Sequence, residues 1–159
     1  EGTIIIDSHQ NLSMNSKNAM ILRRYTIGYL FQNYGLIEDE SVLWNLKLAL
    51  EYKKIKKEEK LKLINKYLKQ FELNDMLNKK VYQLSGGEQQ RIAIIKLILQ
   101  GSQVILADEP TSGLDKENEL IVMKLLKELN EKGITIIMVT HNMNLCDCFS
   151  RVINVENFR

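Results

Sequence analysis

At 159 residues, with 45% hydrophobic and 26% charged side chains, the chain has the size and composition of one globular domain with a sizeable core. Its formal charge of +2 gives no electrostatic case for nucleic acid or for a membrane surface. No apolar run approaches the roughly 18 residues that a membrane span needs, and the opening EGTIIIDSHQ lacks the basic-then-apolar pattern of a signal peptide.

TIIID, residues 3–7, reads as a short strand, and NSKNAMILRRY, residues 15–25, as a weak helix. TIGYLFQ, residues 26–32, is an apolar and aromatic run suited to a buried strand. From Glu38 to about Tyr82 the chain is helical and rich in Lys and Glu, with VLWNLKLALEY and EEKLKLINKYLKQFEL as amphipathic helices. Within it, KKIKKEEKLK is a solvated helix face rather than a basic binding patch.

Beyond LSGGEQQR, residues 84–91, strands and helices alternate. QVILADE, residues 103–109, is an apolar strand ending in two carboxylates. Asp115 caps a helix whose Val122, Leu125, Leu126 and Leu129 form one apolar stripe, and Gly133 ends it. ITIIMVTH, residues 134–141, is a further buried strand. NMNLCDCFS then leads to a last strand in RVINVENF. Cys146 and Cys148 stand too close for a disulfide framework and read as reduced thiols. The alternation predicts right-handed crossovers and a mostly parallel sheet. Such sheets gather ligands beyond the carboxyl ends of their strands.

Three apolar runs end in polar residues: Gln32 after TIGYLF, Asp108 and Glu109 after VILA, and His141 after ITIIMVT. One such residue is ordinarily structural, but three on one sheet edge point to a ligand. The two adjacent glycines of LSGGEQQR have both a plain and a functional reading. Ser85-x-x-Glu88 is a possible capping box. Gly86 and Gly87 also expose backbone N–H groups at a helix N-terminus, where the helix dipole favours phosphate.

With these residues in view, the chain resembles the ABC-type ATPases. LSGGEQQR resembles their signature motif, VILADEP their Walker B strand with the catalytic glutamate, and SGLD, residues 112–115, their D-loop. Gln32 in YLFQN is similar to the Q-loop glutamine, and His141 in MVTHN to the switch histidine. The stretch IGYLFQNYGLIEDESVLWNLKLAL looks most like the exporter and lipoprotein-release branch.

The resemblance implies an α/β P-loop NTPase core with a mostly parallel sheet and an inserted α-helical lobe. Residues 1–34 and 91–159 would form the RecA-like core, and residues 35–90 the lobe that carries the signature. It implies ATP and Mg²⁺ as cofactors. Asp108 and Gln32 would hold Mg²⁺, and Glu109 would polarise the attacking water. His141 would contact the γ-phosphate and stabilise developing charge. Ser85, Gly86, Gly87 and Glu88 would meet the nucleotide of a second ATPase subunit in a head-to-tail dimer, and Asp115 would reach across the same interface. The implied partners are that subunit and a separate membrane permease, without nucleic acid. The implied location is cytoplasmic, peripheral on the inner face of the cell membrane.

Two departures stand out. Glu88 occupies a signature position where many relatives have Gln. No G-x-x-x-x-G-K-[ST] occurs anywhere in the sequence. On this reading the sequence is the C-terminal two thirds or so of an ABC ATPase subunit, and residues 1–159 alone are inactive. The alternatives are a non-catalytic dimerising fragment and a soluble ABC-type ATPase outside transport.

Overall fold

The computed structural model describes residues 3–6, 9, 10 and 13–155. The chain opens with a two-stranded antiparallel sheet, β1 (Ile5–Ile6) and β2 (His9–Gln10). Helix α1 (Lys17–Tyr25) follows, started by Ser16, whose hydroxyl accepts the Ala19 N–H at 3.1 Å. The main sheet has three parallel strands in the order β3 (Ile27–Leu30), β4 (Val104–Asp108), β5 (Thr135–Val139). Between β3 and β4 lie α2 (Val42–Ala49), α3 (Lys57–Gln70) and α4 (Gly86–Gln100). Helix α5 (Lys116–Glu131) makes the crossover from β4 to β5, as the alternating pattern requires.

Helix α4 is apolar on nearly every side and lies at the centre. It buries Ile92, Ala93, Ile94, Ile95, Leu97 and Leu99. Gly101 ends it in the left-handed region, at φ 84°. The buried cluster is continuous, from Leu30, Ile105 and Ala107 of the sheet to Leu46 of α2, Ile64 of α3 and Val122 of α5. The expected stripe on α5 forms: Val122, Leu126 and Leu129 are buried, with Leu125 partly so. Each such burial is worth roughly 1.5–3 kcal/mol. Asn45 of α2 is buried but fully satisfied. It accepts the Ile37 N–H and donates to the carbonyls of Ile37 and Ser41, which ties residues 37–41 to the helix.

Two sequence-based expectations need correction. The strands were expected to be buried on both faces. Only one parity is: Gly28, Leu30, Ile105 and Ala107 are buried, whereas Tyr29, Ile137 and Val139 are exposed. A β-carbon on Gly28 would meet Leu97 and Ser102, so α4 backs that face directly. The second correction concerns RVINVENF. Residues 151–154 take no regular structure, and Val152, Ile153 and Val155 are exposed. β-branched composition supplies propensity, and propensity alone does not make a strand. The remainder of that run, like Asp7 of TIIID, lies outside the described residues. Among the described residues no helix is long and apolar enough to cross a membrane.

Candidate functional site

Asp108 closes β4, in register with Val139 at the end of β5. On the other flank, Tyr29 of β3 donates its hydroxyl to Asp108 Oδ2 at 3.2 Å. Desolvation first, and then the Asp108 carboxylate, push the Tyr29 phenol up. Glu109 follows in the left-handed region, at φ 45°, and its N–H donates to Val139 O at 2.9 Å. This sharp turn carries the side chain across to the end of β5. There Glu109 Oε1 accepts the His141 backbone N–H at 2.8 Å and lies 2.7 Å from His141 Nδ1. The Thr140 hydroxyl donates to Oε2 at 3.2 Å. An ionised carboxylate only accepts, so Nδ1 carries the proton. Three contacts on about four acceptor positions leave the carboxylate room for one more donor.

The His141 side chain is 83% exposed and that of Glu109 only 20%. Two of the expected residues therefore meet directly, with Asp108 next to them in the chain. Gln32 lies two residues beyond β3, exposed, in a turn shaped by Tyr34 at φ 64° and Gly35 at φ 62°. Lys96 of α4 holds that turn by donating to Gly35 O at 2.8 Å, and burial pushes its ammonium pKa down.

At the start of α4 the capping box forms. Glu88 Oε2 accepts the Ser85 N–H at 2.7 Å, and Ser85 Oγ accepts the Glu88 N–H at 3.3 Å. The Glu88 carboxylate thus serves its own helix. The paired glycines also have a steric reason within the chain. Gly87 is buried, and a β-carbon on it would overlap the Asn118 side-chain amide. One on Gly86 would stand 2.8 Å from the Tyr34 hydroxyl. Asn118 cannot easily withdraw. Its backbone N–H and its amide both bind Asp115, the cap of α5. Those bonds, the backbone one foremost, hold the Asp115 carboxyl below its usual range. Gln90, in the same signature stretch, is buried and donates to Pro110 O, which joins α4 to the segment after Glu109.

Among the described residues no group of three or more His, Cys, Asp or Glu could hold a metal by itself. Asp108 and Gln32 offer one carboxylate and one amide oxygen. That set suits Mg²⁺, which keeps several waters and binds substrate phosphates beside one or two protein oxygens. Thr140, Asn142, Tyr29 and Lys96 were not singled out in the sequence. Thr140 and Asn142 flank His141, and that adjacency was the available signal. Nothing local marks Tyr29 or Lys96, which reach the site through pairing and packing.

A family model for ABC transporters matches residues 1–112. An uncharacterized ABC transporter ATP-binding protein of Methanocaldococcus jannaschii is 38% identical over 157 residues, covering 99% of this chain and 70% of its own length. A macrolide export ATP-binding/permease protein, MacB, of Campylobacter jejuni is 36% identical over 156 residues, covering 98% of this chain and 24% of its own. A dimeric ATP-binding cassette solved in a post-hydrolysis state with ADP and Pi superposes at TM-score 0.78 and 37% identity, over 93% of this chain and 66% of that one. The chain thus spans about a quarter of the macrolide exporter's length and about two thirds of the solved cassette's. With the signature helix, the strand-end carboxylates and the histidine in the cassette's fold, the chain belongs to the ABC transporter ATPase family.

Proposed function

We propose that this protein is an Mg²⁺-dependent, ATP-hydrolysing subunit of an ABC exporter, acting on a membrane permease from the cytoplasmic face. The observation that carries the reading is the Glu109–His141 contact of 2.7 Å beside Asp108, at the carboxyl end of a parallel sheet. Bound MgATP would supply the phosphoryl group and the cation that neutralises its charge. Asp108 and Gln32 would hold that cation. Glu109 takes the proton of the attacking water through its free acceptor position. His141, oriented by Glu109, stabilises charge that develops at the phosphoryl oxygens.

Ser85, Gly86 and Gly87 form the second half of the site, presented to the nucleotide of a head-to-tail partner, with Glu88 as the brace of that helix end. Asp115 lies on the same interface. The solved cassette is dimeric and holds ADP and Pi, which supports both the dimer and the nucleotide. The macrolide exporter's name joins ATP-binding and permease functions, which supports a membrane partner. Residues 1–34 and 91–159 are the ATPase core in this reading, and residues 35–90 the lobe that meets the permease.

Residues 1–159 contain no phosphate-cradling G-x-x-x-x-G-K-[ST]. We therefore expect them alone neither to hydrolyse ATP nor to bind it tighter than about millimolar. The test is twofold. Calorimetric titration of residues 1–159 with Mg-ATP is expected to show no micromolar binding. In the product of the whole gene, Glu109→Gln is expected to keep ATP binding and to lower kcat by ~10²–10⁴. Undiminished turnover in that variant would remove Glu109 from the chemistry.

A further inference from the structure

The first turn of α5 touches two separate parts of the site. Asn118 packs against Gly87 at the start of α4. One residue on, Glu119 Oε2 accepts a hydrogen bond from Asn142 Nδ2 at 3.1 Å. Asn142 follows His141 directly. Its Oδ1 accepts the Asn144 N–H at 3.1 Å, which fixes its amide orientation: oxygen towards an N–H, nitrogen towards a carboxylate. Its own N–H donates to Thr140 Oγ1 at 3.1 Å, and that hydroxyl donates onward to Glu109 Oε2 at 3.2 Å. A continuous polar chain therefore runs from Glu119 through Asn142 and Thr140 to Glu109, with His141 at its centre.

We propose that Glu119 is a positioning residue for His141. Acting through Asn142, its carboxylate holds residues 140–144 against α5, so that His141 meets Glu109 at a fixed distance. The inference rests on the proposed function only for its catalytic consequence. The bond is charge-assisted and half-buried, so it is stronger than a neutral surface contact. It also restrains a strand end at which Val139 and His141 are both exposed among the described residues. Because Asn118 and Glu119 are adjacent, a shift of α5 at the Gly87 contact is passed to the His141 segment without crossing the hydrophobic core.

The test compares four forms of the chain: wild type, Glu119→Ala, Glu119→Gln and Asn142→Asp. Amide exchange is read on a peptide covering residues 140–145. Glu119→Ala removes the acceptor, and Asn142→Asp places two carboxylates face to face. Both are expected to exchange about tenfold faster in this peptide, the factor that corresponds to one charge-assisted hydrogen bond. Exchange in β4 and in the interior of α4 should stay unchanged. Glu119→Gln keeps an acceptor without the charge and is expected to exchange at a rate between wild type and Glu119→Ala. Unchanged exchange in Glu119→Ala overturns the proposal. So does an equal rise throughout β4 and α4, which would make Glu119 a general stability residue. In the whole gene product, Glu119→Ala should lower kcat with little change in the KM for ATP, and Glu119→Gln should recover part of that loss. Absence of turnover in the wild type would sink the proposed function, while the exchange result would still decide the role of Glu119.

Discussion

Glu109 is one of the non-glycine residues held at positive φ among the described residues. A non-glycine residue at φ 45° is held there at a cost of roughly 1–3 kcal/mol. The surroundings over-determine it. Its N–H is tied to Val139, and its carboxylate to Thr140 and His141. The sequence made Glu109 a candidate because it ends an apolar run, but a left-handed turn at a glutamate has no sequence signal. Asp115 gives the residue-scale prediction. Its folded carboxyl titrates below the ordinary 3.8, so it adds stability above that value and loses it as pH falls through the lowered one. Asp115→Ala should therefore be less stable than wild type near neutral pH. Chemical denaturation repeated down the pH scale should show the gap narrowing once the medium is more acidic than the folded carboxyl. A gap independent of pH would mean that the Asn118 bonds do not depend on the charge.

At the scale of elements, the helices were the most legible part. Ser85 and Asp115 each cap the helix that follows, as their positions suggested, and the stripe of α5 reads directly as spacing. Strand ends were legible as polar stops, and those stops mark Asp108, Glu109 and His141. The meeting of α4 with α5 was not legible, because it depends on long-range packing. Gly87 shows the difference. The sequence suggested a bare helix end for a ligand, and the structure adds a steric reason within the chain. A methyl group at 87 would overlap an Asn118 amide that is bound to Asp115 on two sides. Gly87→Ala should cost about 1–3 kcal/mol, the usual range for overpacking. Asn118→Ala in the same chain should recover much of that loss. A double-mutant cycle of urea midpoints measures the coupling, and strict additivity would show that the overlap relaxes elsewhere.

At the scale of the whole molecule, α4 organises everything. It touches the sheet, α2, α3 and α5, and its ends carry the two turns that matter. Ser85 begins it near Asn118, while Lys96 and Gln100 fasten residues 23–35 to its later turns. One continuous core therefore joins the sheet to the helices of residues 42–70, so the lobe boundary expected near residues 34 and 91 is not a break in the packing. Sequence periodicity shows which faces are apolar but not which of two apolar faces a neighbour will cover. In the sheet, α4 and α5 lie against the same side.

The opposite side of that sheet has a consequence for how the chain behaves in a test tube. Tyr29 and Phe31, with ring centroids 4.3 Å apart, lie with Ile137 and Val139 in an apolar area open to solvent among the described residues. With a net charge of only +2, little long-range repulsion keeps two such surfaces apart. Residues 1–159 should sediment as a mixture whose mean mass rises with concentration, and added salt should favour the larger species. Ile137→Lys places a charge on the open side without touching the buried one and should shift the mixture towards the monomer. Monomeric sedimentation of the unaltered chain at all concentrations would show that this surface is harmless.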